Sequence, residues 1–125
     1  MNAAPEVQGI GVSSKLIKSQ TLPDNTSSAT TINEYPALTS KGISIKYKIT
    51  RGTLDRTGEF IISASTTAVG FDDTFTESGA DVGVTLSAVL DDKDSTAGNE
   101  TVAFKFTTTS TGTAATIDYQ TTILA

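Results

Sequence analysis

The sequence predicts an all-β fold: an antiparallel β-sandwich of about eight strands, jelly-roll-like, with an extended N-terminal arm. Apolar and polar residues alternate with a period of two in several segments, which is typical of strands with one buried face. Threonine is the commonest residue, and its stiff β-carbon suits a pleated surface. No segment of helical length keeps an apolar stripe at helical spacing, so we expect helix to be limited to a turn or so.

The strands differ in how clearly they alternate. Four strong segments are residues 42–51, 82–91, 101–107 and 116–124, and four weaker ones are residues 14–21, 30–36, 58–65 and 69–77. Turn signals recur roughly every 8–12 residues, as in sandwiches and barrels. The inward faces define a predicted core of Ile43, Ile45, Tyr47, Ile49, Phe60, Ile62, Val84, Leu86, Phe104, Phe106 and Ile117.

Polar segments that carry glycine are predicted to connect these strands. They are residues 51–58, 77–83, 91–100 and 109–112. The last is predicted to be the tightest reversal, because Gly112 can adopt a positive φ, so residues 103–120 are predicted to form a β-hairpin. Residues 1–13 are predicted to be an extended arm and residues 22–29 a long loop. The predicted organisation is therefore an arm and loop over residues 1–30 and a β-sandwich domain over residues 31–125.

Composition excludes several classes of function. The chain of 125 residues suits one domain. It has no Cys and no His, so it lacks a thiolate, the commonest general base and the commonest transition-metal ligand. We expect no enzymatic activity, no cofactor and no required metal.

Charge and hydropathy also limit the partners. The net charge of −5 disfavours nucleic acid and anionic membranes. No apolar run is long enough to span a bilayer. The first residues lack the basic and apolar regions of a secretory signal, so we expect synthesis in the cytosol.

Two acidic motifs have both a functional and a structural interpretation. Asp72 and Asp73 are compatible with a metal or acid–base site, but they are more simply explained as the start of a solvated turn. Residues 91–100 resemble a calcium loop only faintly, because Ala97 and Ala103 occupy the positions where an EF-hand needs glycine and glutamate.

Two further features are explained most simply by structure. The glycosylation triplets at Asn25 and Asn99 are expected to lie in unmodified loops. Tyr35, Tyr47 and Tyr119 are compatible with a sugar-stacking platform, and more simply with core or rim positions of strands.

The order of several short segments resembles a small β-module that is common in bacteriophage virion proteins. The segments are IKYKITRG (45–52), TGEFIISAS (57–65), DDTF (72–75), DVGVTL (81–86) and TSTGTAATIDYQ (109–120). The region of the resemblance runs from about residue 40 onward and covers about two-thirds of the chain. Residues 91–100 are longer than the module leads us to expect.

The resemblance implies a structural role in a virion. Such modules occur in tail fibres, head fibres and small capsid-decorating proteins, and a short chain with one module looks most like a decoration (cement) protein on the outer surface of a phage capsid. The alternative is a tail- or head-fibre module that binds a host receptor or glycan. The implied partners are the major capsid protein or another virion protein. We also expect a homo-oligomer, a trimer rather than a dimer, because the fibre modules tend to be trimeric.

The N-terminal segment supplies the expected contact residues. Its weak pattern does not bury its apolar side chains, so we predict that they bind a partner: Val7, Ile10, Val12, Leu16 and Ile17.

Overall fold

The computed structural model describes residues 16–92 and 96–125, which form eight β-strands and no helix. The strands are β1 (Lys18–Leu22), β2 (Thr30–Pro36), β3 (Gly42–Arg51), β4 (Leu54–Ala64), β5 (Val69–Ser78), β6 (Val84–Asp91), β7 (Thr101–Thr108) and β8 (Ala115–Leu124). The predicted all-β class and the number of strands are confirmed.

The strands form two antiparallel sheets. The larger has the order β1-β8-β3-β4-β5 and the smaller the order β2-β7-β6. One core cluster contains buried residues of both sheets. At its centre, Phe60 of β4 meets Phe104 of β7 with ring centroids 5.1 Å apart, and Phe104 meets Tyr119 of β8 edge-on at 6.0 Å.

The alternating pattern predicted the core correctly. All eleven predicted core residues, Tyr47 among them, are at most 4% exposed. The other two tyrosines, Tyr35 and Tyr119, are also buried. Ile61, on the opposite face of β4, is 50% exposed, so only one face of that strand is covered.

The predicted hairpin over residues 103–120 is wrong. β7 pairs with β2 and β6 in the smaller sheet, whereas β8 pairs with β1 and β3 in the larger one. The connection between β7 and β8 therefore crosses from one sheet to the other. Gly112 does adopt a positive φ of 86°, but the turn that it allows does not join paired strands.

The loop predicted over residues 51–58 is also wrong in extent. β3 ends at Arg51 and β4 begins at Leu54, so the reversal consists of Gly52 and Thr53 alone. Gly52 has a φ of 62°, the left-handed conformation that favours glycine in a tight turn. Polar residues that suggested a loop, among them Arg56, belong to β4 instead.

β1 corresponds to the weaker strand that was predicted over residues 14–21, inside the segment 1–30 that was otherwise predicted as arm and loop. It pairs with β8, with Lys18 opposite Tyr119 and Leu22 opposite Ala115. Leu22 is fully buried, so this part of the segment belongs to the core sheet. The residues predicted to form the extended arm, 1–13, lie outside the described residues.

Arg51 ties together three connections that cross between the sheets. It is 4% exposed, at the end of β3. Its guanidinium donates to the Asp24 carboxylate (2.5 Å) in the β1–β2 connection and to the Val82 carbonyl (3.0 Å) before β6. It also donates to the carbonyls of Thr109 (2.7 Å) and Thr113 (2.8 Å) between β7 and β8. A buried cation is tolerated only with such partners.

Asp24 completes this arrangement from the other side. It accepts the backbone N–H groups of Thr111 (2.8 Å) and Gly112 (3.0 Å). These bonds, the Thr111 N–H first, together with Arg51 hold the pKa of Asp24 below its ordinary value. The stability that the carboxylate contributes is fully present above the ordinary Asp pKa of about 3.9 and is lost as the pH falls through the lowered value.

Replacing Phe104 by Ala should lower the free energy of unfolding by about 3–5 kcal/mol, because the ring is fully buried. Phe71→Ala is the matched control. Phe71 is 48% exposed, so its replacement should lower the free energy of unfolding much less. Urea denaturation measures both, and equal losses would contradict the assigned faces.

Arg51→Met should cost about 3–5 kcal/mol, because it removes the donor of several buried carbonyls and the positive charge that pairs with Asp24. Lys46→Met removes a positive charge from the exposed face of the same strand and should change stability by less than about 0.5 kcal/mol. Thermal and urea unfolding compare the two variants. An unchanged midpoint for Arg51→Met would show that the connections do not depend on this side chain.

Candidate partner-contact site

Two of the predicted contact residues are described by the structure, and both are accessible. Leu16 is 73% exposed and Ile17 is 61% exposed. They immediately precede β1, which is an edge strand of the larger sheet. Val7, Ile10 and Val12 lie outside the described residues, so their role as contacts stays a prediction.

A groove of about 190 Å³ lies beside Leu16, where the two sheets separate near β1, β8 and β2. In it, the Asn33 amide donates to the Tyr119 hydroxyl (3.3 Å) and the Tyr35 hydroxyl bonds that of Thr121 (2.8 Å). Burial raises the pKa of Tyr35 and of Tyr119, so both phenols stay neutral at physiological pH. The groove therefore offers neutral hydroxyl and amide groups and the Lys18 side chain beside an exposed leucine, which suits contact with a polypeptide.

The other open side of the molecule lies between β5 and β6, where Arg56 lines a cleft of about 300 Å³. Arg56 is 3% exposed and pairs with Glu77 (3.0 Å) and Asp81 (3.3 Å). It also donates to the Val84 carbonyl (2.8 Å), and its guanidinium lies 4.0 Å from the centre of the Phe75 ring. The charge of Arg56 is thus matched internally, and its contacts join β4 and β5 to β6.

The interpretation of Asp72 and Asp73 as the start of a turn is wrong, because both lie within β5. Adjacent strand residues face opposite sides of a sheet, so the two carboxylates diverge. Asp73 accepts a hydrogen bond from the Tyr47 hydroxyl (2.7 Å), and burial raises its pKa. Asp72 is exposed. Within residues 16–92 and 96–125, no three acidic side chains are grouped so that they could hold a metal ion.

Gly58 makes the contact between Tyr47 and Asp73 possible. The pairing places Gly58 between Tyr47 of β3 and Phe75 of β5. A β-carbon on Gly58 would lie 2.8 Å from the Tyr47 hydroxyl oxygen and 2.7 Å from the Phe75 β-carbon. The Tyr47 side chain therefore reaches Asp73 across a strand position that has no side chain.

The unequal sheets leave apolar side chains uncovered. Three strands face five, so the core side of β5 lies partly beyond the smaller sheet. Phe71 and Phe75 of β5 are 48% and 43% exposed. Sequence reasoning missed them, because the alternating pattern shows which face a residue occupies and not whether another sheet covers it.

Comparison with protein-family models, with curated proteins and with solved structures finds no match for this chain. The described part of the chain contains no helix that is long and apolar enough to cross a membrane.

Gly58→Ala should destabilise the protein by about 1–3 kcal/mol, because the added methyl group overlaps Tyr47 and Phe75. Gly70→Ala is the matched control in the neighbouring strand, since a β-carbon there meets nothing within 4 Å. Chemical denaturation should show a loss for Gly58→Ala only. Equal behaviour of the two variants would contradict the close approach at Gly58.

Proposed function

We propose that this protein is a non-enzymatic virion structural protein, a capsid decoration protein that binds the outer surface of a phage capsid and stabilises it. The resemblance of residues 45–120 to virion β-modules supports the virion class. Its partner is then the major capsid protein or another virion protein. Its location is the virion surface after synthesis in the host cytoplasm.

The observation that carries the proposal is the exposure of Leu16, which lines an open groove, and of the adjacent Ile17. Covering apolar surface yields about 25 cal/mol per Å². A partner that binds along this segment covers both side chains and meets the neutral hydroxyls of Tyr35 and Tyr119. Attachment then depends on shape and apolar contact, and this suits a chain whose net charge is −5.

The finer architecture belongs to the same proposal. We interpret the two packed sheets as a sandwich of jelly-roll-like type with an N-terminal arm over residues 1–13. Two features of the strand order support this interpretation: β8 lies between β1 and β3 in one sheet, and β2 lies beside β7 in the other. The consecutive strands β3, β4 and β5 stay in one sheet, so the strands divide five to three.

A second candidate is a fibre module that binds a host glycan or receptor. Phe71 and Phe75 favour it, because both are exposed on the same face of β5, and aromatic rings can stack on sugar rings. Loss of glycan binding by Phe75→Ala, with particle binding unaffected, would favour this candidate over decoration.

Deleting residues 1–13 should weaken binding to undecorated particles by about tenfold or more, which corresponds to about 1.4 kcal/mol. The double variant Leu16→Ser/Ile17→Ser should weaken it similarly, whereas Val89→Ser, an exposed position on β6, should not. Co-sedimentation with particles measures all four proteins.

The outcomes of this experiment separate the two parts of the proposal. If the truncated chain binds as tightly as the full chain, the arm is not the attachment element. If the full chain does not bind particles at all, the decoration function is wrong.

A further inference from the structure

The larger sheet has two free edges among the described residues, β1 on one side and β5 on the other. An edge strand presents unpaired backbone N–H and C=O groups, which invite pairing with another chain. Four antiparallel pairings separate β1 from β5, so the two edge strands run in the same direction. A second copy placed beside the first in the same orientation would therefore bring its β1 next to β5 as a parallel neighbour.

The two edges carry opposite charge. β5 contains Asp72 and Asp73 at its centre and no basic residue. β1 contains Lys18, which forms no ion pair within the described residues, and no acidic residue. Pairing β5 with β5 about its centre would bring carboxylates together, and like charges opposite one another destabilise a sheet. Pairing β1 with β1 would bring no carboxylate to Lys18. The charges therefore oppose the β5–β5 pairing, give the β1–β1 pairing no ion pair, and favour the unlike pairing.

We propose that this protein associates head to tail with itself, with residues 16–22 of one copy pairing in parallel with residues 71–77 of the next. The contact rests on the two edges and not on the decoration function.

The side chains select this register. Lys18 is paired with Tyr119 and Asp73 is paired with Phe60, and paired residues lie on the same side of a sheet. Because Tyr119 and Phe60 are buried, Lys18 and Asp73 are both on the core side. Setting Lys18 beside Asp73 in a continued sheet also sets Leu16, which is 73% exposed, beside Phe71, which is 48% exposed. One ion pair and one apolar contact then form together on the same face.

The competing register is weaker. Moving β1 four residues along would pair Lys18 with Glu77, which already binds Arg56. β5 ends at Ser78, so most of β1 would then extend beyond its partner. In the proposed register all seven residues, 16–22, have a neighbour.

The contact has consequences for assembly. Each copy uses a different surface on each side, so association is heterologous and either closes into a ring or grows as an open chain. In a ring of three copies, β1 of each copy pairs with β5 of its neighbour, which agrees with the expected trimer. Seven residues of parallel strand span only about 23 Å, so we expect reversible association that depends on protein concentration and weakens with salt.

Disulfide trapping tests the pairing directly, because the chain has no cysteine of its own. Ser19 and Thr74 are both exposed, on the face of the larger sheet away from the core, and the register makes them neighbours. A mixture of Ser19→Cys and mass-tagged Thr74→Cys proteins should, on oxidation, give mainly the unlike dimer. Thr50 is exposed on the central strand β3, away from both edges. Thr50→Cys in place of Ser19→Cys in the same mixture therefore measures how much disulfide forms by random collision.

Charge reversal provides the second measurement. Light scattering of the wild-type protein should show a mass that rises with concentration, and Lys18→Glu should abolish the rise. Lys46→Glu makes the same charge change at an exposed position of β3, away from both edges. This variant should retain the rise of mass with concentration. Far-UV circular dichroism verifies that each variant folds.

Other outcomes would overturn the inference. These are predominance of the like dimers, trapping no greater than with Thr50→Cys, retained association in Lys18→Glu, or a monomer at every concentration. The protein alone is used throughout, so failure here leaves particle binding to be judged separately.

Discussion

The buried guanidinium of Arg51 is the interaction on which the two-sheet arrangement depends most. Four connections of the described chain cross between the two sheets, and such crossings leave carbonyl groups that strands no longer pair. At one end of the molecule, three of these connections converge on Arg51, which binds Asp24, Val82 and Thr109. A planar group with five donors suits this role, because several acceptors can surround it at once. The penalty for burying the charge is offset by the Asp24 carboxylate.

The unequal size of the sheets explains most of the accessible surface features. Because three strands face five, the core-side faces of the outermost strands of the larger sheet are only partly covered. One open side is the groove beside Leu16 and Tyr119, and the other is the cleft beside Arg56 and Phe75. Buried polar contacts line both openings, so each has a defined shape. The surfaces available to partners thus follow directly from the sheet topology.

Both proposed contacts use the region around β1 in different ways. The proposed attachment to a capsid would use the exposed side chains of Leu16 and Ile17, whereas the proposed self-association would use the backbone edge together with Lys18. A copy whose β1 is paired with a neighbouring β5 has Leu16 beside Phe71 and is no longer fully free to bind a capsid protein there. The two contacts therefore compete in part, unless residues N-terminal to β1 supply the capsid contact. If both proposals hold, the concentration of free protein would affect how many copies are available to bind a particle.

The sequence by itself determined the number of strands, most of their residues and which core residues face inward. Ile43, Phe60 and Phe104 were identified because a strand with one buried face imposes a period of two, and burial follows that period locally. The sequence could not determine strand partners: the same alternation precedes and follows residues 109–114, whether β7 and β8 form a hairpin or lie in different sheets. Nor could it identify Arg51 and Arg56 as buried, because a charge is buried only where distant residues supply its partners, here Asp24 and Glu77. Tertiary structure decided these features, since each depends on contacts between segments that are remote along the chain.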